Sequence, residues 1–313
     1  MQDFVKTSAM AMAICLAPAL GSRALAAEGG ASHYLPGTAG DIALAVASEP
    51  GLQVANTFWF QSGDVGATVL EGAVRFGVDA DVFLNLAYGA YTFDRSVLGG
   101  RYTIGALVPF GHTKIDASTV GPLGGRIASS DTSFDLSDIA IIPVQLNWNS
   151  GNFHFKLAEA IIAPSGGYDV DDLANLGRNH WSFDTVGAAT WLNLETGTEI
   201  SVAPGIMVNT TNNATDYKTG AEFHLDFTAN QFLSPGFAVG LRGYWYEQVT
   251  GDSGSGARLG DFKSSSFGIG PGFVWTPTAA QGRLNIVGKW LHDLQADKRL
   301  KSDYGTLAVA WTF

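Results

Sequence analysis

Twelve stretches of this chain alternate apolar and polar residues in twos, and the segments joining them alternate strictly between long and short to the end of the sequence. The stretches cover 52–60, 76–93, 99–115, 137–148, 152–163, 181–192, 198–209, 220–232, 236–248, 264–275, 282–293 and 304–313. A period of two marks a strand with one greasy face and one polar or small face. Short connections fall at 94–97, 149–151, 194–197, 233–235 and 276–281. Long polar ones fall at 61–72, 116–136, 164–180, 210–219, 249–263 and 294–303. A soluble sandwich has no reason to sort its loops by parity. A bacterial outer-membrane barrel does so, with tight periplasmic turns and long outer loops, and an even strand count puts both chain ends on the periplasmic side. The pattern predicts an all-β chain folded as a transmembrane antiparallel β-barrel over 51–313. It has twelve strands, or fourteen if 67–93 is divided at 78–81.

Tryptophans test this reading. Trp148, Trp191, Trp275 and Trp311 fall at periplasmic strand ends, and Trp59, Trp181, Trp245 and Trp290 at outer ends. Two levels of aromatics are what the two interfaces of a bilayer require. Seven of the eight share the outward parity; Trp59 does not, because Phe58 and Phe60 hold the outward places. On the closing strand Leu307, Val309, Trp311 and Phe313 face out. Phe313 is read as the terminal aromatic signal recognised by the barrel-assembly machinery.

The first residues read as a targeting segment. Lys6 precedes an apolar run at 7–20 that is too short to span a bilayer, and small residues at 24–27 suit cleavage after Ala26. A secretory signal peptide over 1–26 removes Cys15, the only cysteine, so no disulfide framework and no thiolate nucleophile is expected. Residues 27–50 are read as a periplasmic N-terminal segment or a short plug of the lumen. The formal net charge of −11 argues against nucleic acid as a partner. Beyond the signal no stretch reaches the roughly 18 apolar residues of a membrane helix, which leaves a barrel as the way to span.

Parity set by the greasy face also names the lumen side chains. Phe223, Leu225 and Phe227 face lipid, so Glu222, His224, Asp226, Thr228 and Asn230 face in. Leu241 and Trp245 face out, so Arg242, Tyr244 and Tyr246 face in. His154, Lys156, Asp184, Asn285 and Lys289 follow by the same rule. These groups either pair into a hydrogen-bonded lumen that holds the barrel together or line a substrate path. On the second reading Tyr244 and Tyr246 offer flat faces with polar tips, and Arg242 pairs with Glu222 or Asp226 as a gate. Catalytic signals are weak. The histidines lack metal-ligand spacing, and no metal or other cofactor is expected. The acidic run 169–172 with Asn175 reads as a solvated loop. Ser253, in "GDSG", has no partner His and Asp that the spacing can place. A lipid hydrolase built on His180 and Ser182 near the outer leaflet lacks a third group, and an adhesive or structural barrel is a further alternative. The expected function is therefore not enzymatic.

Five stretches carry a family resemblance: "YLPGTAGD" (34–41), "GLQVANTFWFQSGD" (51–64), "PSGGYDVDDLANLGRNHWSF" (164–183), "TDYKTGAEFHLDF" (215–227) and "VTGDSGSGARLGDF" (249–262). Together they resemble the SphA-like outer-membrane transporters linked to the meta-cleavage pathway of phenol degradation. The resemblance spans the chain beyond the signal. It implies an outer-membrane channel in a Gram-negative bacterium, in contact with membrane lipid and lipopolysaccharide, that takes up small hydrophobic or aromatic compounds. It assigns no binding residues, so the lumen set Glu222, His224, Asp226, Arg242, Tyr244, Tyr246 and Lys289 stands on parity alone.

Overall fold

The structure is a computed structural model that describes residues 28–69, 74–121, 125–257 and 263–313. The expected signal peptide over 1–26 lies outside the described residues. Thirteen strand segments form one antiparallel sheet. The first five are β1 (Gly51–Val69), β2 (Val74–Val97), β3 (Gly100–Val120), β4 (Arg126–Leu136) and β5 (Ala140–Ser150). Next come β6 (Phe153–Ile162), β7 (Ser182–Asn193), β8 (Thr198–Asn209) and β9 (Glu222–Ser234). The last four are β10 (Phe237–Gln248), β11 (Ser265–Trp275), β12 (Leu284–Asp297) and β13 (Lys301–Thr312).

Sequential neighbours pair, and β1 closes the ring on β13 with Val54 opposite Trp311. Both β4 and β5 pair with β3, through Phe110 opposite Leu136 and Leu107 opposite Ala140, so they are two halves of one stave bent at 137–139. The barrel thus has twelve staves. Division at 78–81 does not occur: β2 runs unbroken there, and Asp79 pairs with Asp64 on one side and Asp116 on the other.

Alternation places the greasy face outward. On β8 Ile200, Val202, Ile206 and Val208 are exposed, while Glu199, Ser201, Ala203 and Met207 are buried. Trp181, Trp245, Trp275 and Trp290 are exposed on the outside, and Trp59 alone of the eight is buried inside, against Tyr304. Exposed aliphatic and aromatic side chains on the outside of a closed sheet suit a hydrocarbon surround, and closure pairs the backbone of the part that spans it. Tight turns join the staves at one end; at the β2–β3 turn both Leu98 and Gly99 have positive φ, as a two-residue hairpin of right-handed strands requires.

One expectation is corrected. The segments 61–69, 116–120, 126–136, 294–297 and 301–303, read as loop, are strand. A spanning strand needs about 9–11 residues, whereas β1, β2 and β3 have 19, 24 and 21. Their far halves form a sheet that projects beyond the long-loop end of the barrel. Water wets both faces there, so the sequence carries no apolar alternation to mark the strands.

Candidate functional site: the lumen and its N-terminal segment

Residues 28–48 run inside the barrel from the long-loop end to the short-turn end. Glu28 accepts hydrogen bonds from Asn212 and Thr215 in the β8–β9 loop. Ser32 donates to Glu222, and Tyr34 donates to Asp226 at 3.0 Å. Lower down, Lys289 donates to the Gly37 carbonyl and to Asp41. Ala43 donates its N–H to Glu199, and Ala45 donates to Thr190 and accepts from Asn147. Arg101, at the short-turn end of β3, donates to the Ser48 carbonyl. An extended segment has unpaired backbone groups along its length, and the polar lumen wall satisfies them.

All seven lumen candidates are buried and inward. Their setting explains the glycines around them. His224 lies over Gly205 on β8, where an added Cβ would stand 2.2 Å from the ring, and it bonds Asp184 at 2.9 Å. Tyr244 crosses Gly268 and donates to Asp293, with Tyr304 3.3 Å away. Tyr246 carries the Arg299 guanidinium 4.0 Å above its ring centroid. Arg242 folds over Gly272 and donates to its carbonyl at 3.2 Å. The expected pairing of Arg242 with Glu222 or Asp226 is not found among the described ion pairs. Arg242 sits opposite Thr228, below Asp226, and Asp226 and Glu222 are engaged by Tyr34 and Ser32. Phe313 is exposed at the seam, its N–H bonded to the Leu52 carbonyl.

At the long-loop end the N-terminal segment meets a second cluster. His33 Nε2 lies 2.8 Å from Asp138 Oδ2, and His33 Nδ1 lies 2.7 Å from Ser182 Oγ. Asp138 also accepts backbone N–H groups from Ser165, Gly166 and Arg178. Burial raises the Asp138 carboxyl, but the donors around it outweigh that and hold it below the usual range. Burial pushes the His33 imidazole down and the His180 imidazole down to about 4. The third group that sequence could not give Ser182 is thus present. The one hydroxyl proton of Ser182 is also directed at Asn209 Oδ1, 2.6 Å away, and the side chain is fully buried, so the hydroxyl is not presented for attack on a substrate. Ser253 binds Lys218 through backbone alone, and Asn175 is bonded to Asp169 and Asp172. Among the described residues no three His, Cys, Asp or Glu side chains converge to hold a metal ion.

The model of one protein family, the putative MetA-pathway of phenol degradation, matches residues 55–309. The chain belongs to that family. No curated protein matches it. Among solved structures it is similar to the COG4313 outer membrane channel from Pseudomonas putida F1, at 15% identity and a TM-score of 0.68, over 90% of this chain and 100% of the other. The β domain of the Bordetella autotransporter BrkA aligns at 13% identity and a TM-score of 0.44, over 85% of this chain and 100% of the other. The fold of this family member is that of an outer-membrane channel.

Sequence parity missed the partners that come from elsewhere. His33, Tyr34 and Asp41 lie on a segment with no periodicity, and Asp138 sits in the bend between β4 and β5. Arg299 lies in the β12–β13 turn, yet it is buried over Tyr246. The one local signal was the "YLPG" turn. The Thr38 N–H bonds the Leu35 carbonyl, Pro36 fits the second position and Gly37 has φ +77°, a type II turn written in sequence.

Proposed function

We propose that this barrel admits small hydrophobic or aromatic compounds passively across the outer membrane of a Gram-negative cell, with residues 28–50 acting as a plug that governs the path. The observation that carries this reading is the aromatic group inside the barrel: Tyr34 stacks on His224 with ring centroids 4.3 Å apart, and Tyr246 and Tyr244 lie at 5.9 and 6.3 Å, with Trp59, Met207 and Leu291 in the same buried cluster. Flat faces with polar tips suit apolar rings that carry little charge. The family match supports the substrate class, and the apolar outer face supports the location. Uptake of a panel of aromatic hydrocarbons should fall in cells lacking the protein; unchanged uptake across the panel would overturn the reading.

The rival reading, ester hydrolysis by Ser182, is favoured by the contacts to His33 and Asp138 and opposed by the burial of its hydroxyl. Hydrolysis by purified protein, abolished by Ser182→Ala, would establish it. Phe313 is proposed as the assembly signal: its deletion should lower the membrane level sharply while refolding in detergent stays near normal.

A further inference from the structure

Tyr34 is itself a phenol held by the barrel wall. Its ring stacks with two wall side chains, His224 at 4.3 Å and 20° between planes and Tyr246 at 5.9 Å and 8°. Its hydroxyl donates to Asp226 Oδ2 at 3.0 Å. Three features show that the wall, not the segment, makes this place. His224 is fixed from below by Gly205 and from the side by Asp184. Tyr246 is fixed by Arg299 over its ring. His224 Nδ1 and Asp226 Oδ1 are fully buried, have no hydrogen-bond partner among the described residues, and belong to the two side chains that touch the Tyr34 ring and hydroxyl. The segment contributes the Tyr34 side chain and, at the Pro36–Gly37 turn that follows it, the Gly37 backbone beside Asp226.

We infer that Tyr34 is the built-in occupant of a wall site for single-ring phenols, which a free phenol takes when the segment gives it up. The site would hold the ring against His224 and Tyr246 and the hydroxyl on Asp226. A second, adjacent hydroxyl would find Asp226 Oδ1, so 1,2-dihydroxybenzenes should bind at least as well. A tethered side chain competes at an effective concentration of millimolar or more, so the intact protein should bind free phenol poorly. This inference rests on the uptake reading for its biological meaning, but the site itself is tested by binding alone.

The test uses the full barrel in detergent micelles, with phenol, catechol and toluene as probes and ligand-observed NMR as the readout. Tyr34→Ala should bind phenol saturably and at least about tenfold more tightly than the unchanged protein. Toluene, which cannot hydrogen-bond, should bind Tyr34→Ala about tenfold or more weakly than phenol, the scale of one hydrogen bond to a charged acceptor. Adding Asp226→Asn should remove most of that preference. Equal phenol binding with and without Tyr34, or toluene binding as well as phenol, would overturn the inference. Should Tyr34→Ala not fold, Tyr34→Leu takes its place with the same expectations. Phenol binding by Tyr34→Ala with no aromatic uptake in cells would end the uptake reading and leave the site standing. Uptake without phenol binding would do the reverse.

Discussion

Asp138 accepts a hydrogen bond from His33 at 2.8 Å, which ties the N-terminal segment to the bend between β4 and β5 across 105 positions of sequence. Both side chains are almost wholly buried. The same carboxylate holds the β6–β7 loop through the N–H groups of Ser165, Gly166 and Arg178. Asp138→Ala therefore strands several buried donors at once. Breaking a buried, hydrogen-bonded carboxylate site of this kind costs about 3–5 kcal/mol. The expected outcome is a lower urea midpoint together with new protease cleavage in both 28–50 and 164–180. Cleavage in the loop alone would mean that the segment is anchored elsewhere.

Acid should weaken the same cluster. Burial, with the neighbouring His33 ring adding, pushes His180 down to about 4, and burial lowers His33 as well. An unfolded histidine takes up a proton near pH 6.5. Between that value and about 4 the unfolded chain binds protons that the folded chain refuses, so stability must fall as pH falls through this window. Asp138, held below the usual carboxylate range, adds a further loss only under more acidic conditions. Denaturant midpoints from pH 7 to 4 should decline, and His180→Asn should flatten the slope. An unchanged slope in His180→Asn would show that another group carries the proton.

The glycines under the lumen side chains give a sharper pair of substitutions. A Cβ at Gly205 would lie 2.2 Å from the His224 ring, which Asp184 keeps from moving aside. A Cβ at Gly89 would meet nothing within 4 Å. Gly205→Ala should cost about 1–3 kcal/mol, the usual scale of overpacking, whereas Gly89→Ala should stay within about 0.5 kcal/mol of neutral. Thermal unfolding of the two variants side by side checks this.

What the sequence disclosed follows from where physics imposes a period. Lipid on one face and a packed lumen on the other force a period of two, so the staves from β5 to β13 and the inward parity of Glu222, His224, Asp226, Arg242, Tyr244, Tyr246 and Lys289 could be read residue by residue. Where water wets both faces, as along 61–69 and 126–136, no period is imposed and strand looked like loop. The N-terminal segment obeys no period either, because its backbone is satisfied by side chains of many staves. That is why Tyr34 and Asp226, 192 positions apart, could not be joined in advance. The Arg242 gate failed for a related reason: parity gives direction but not depth, and Thr228 rather than Asp226 lies opposite Arg242.

Lys289 and Asp41 provide the lower anchor of the segment. The Lys289 side chain, 3% exposed, reaches the Gly37 carbonyl within the turn that follows Tyr34 and Asp41 just beyond it. Lys289→Met keeps the length and greasiness of the stem but removes the only cation among the described residues that is hydrogen-bonded to the Asp41 carboxylate, leaving Arg242 as a more distant neighbour. An unpaired charge there favours release of the segment toward water. With Cys15 expected to leave with the signal peptide, a single cysteine at Ala45, fully buried in the intact protein, reports on that release through maleimide labelling. Labelling of Ala45→Cys should be slow, and Lys289→Met should speed it by about tenfold or more, an interaction of only about 1.4 kcal/mol. Asp41→Asn combined with Lys289→Met should return part of the protection, since no uncompensated charge then remains. Equal labelling rates in all three backgrounds would show that the lower half of the segment is held by its backbone bonds to Glu199, Thr190 and Asn147, and that the ion pair is incidental.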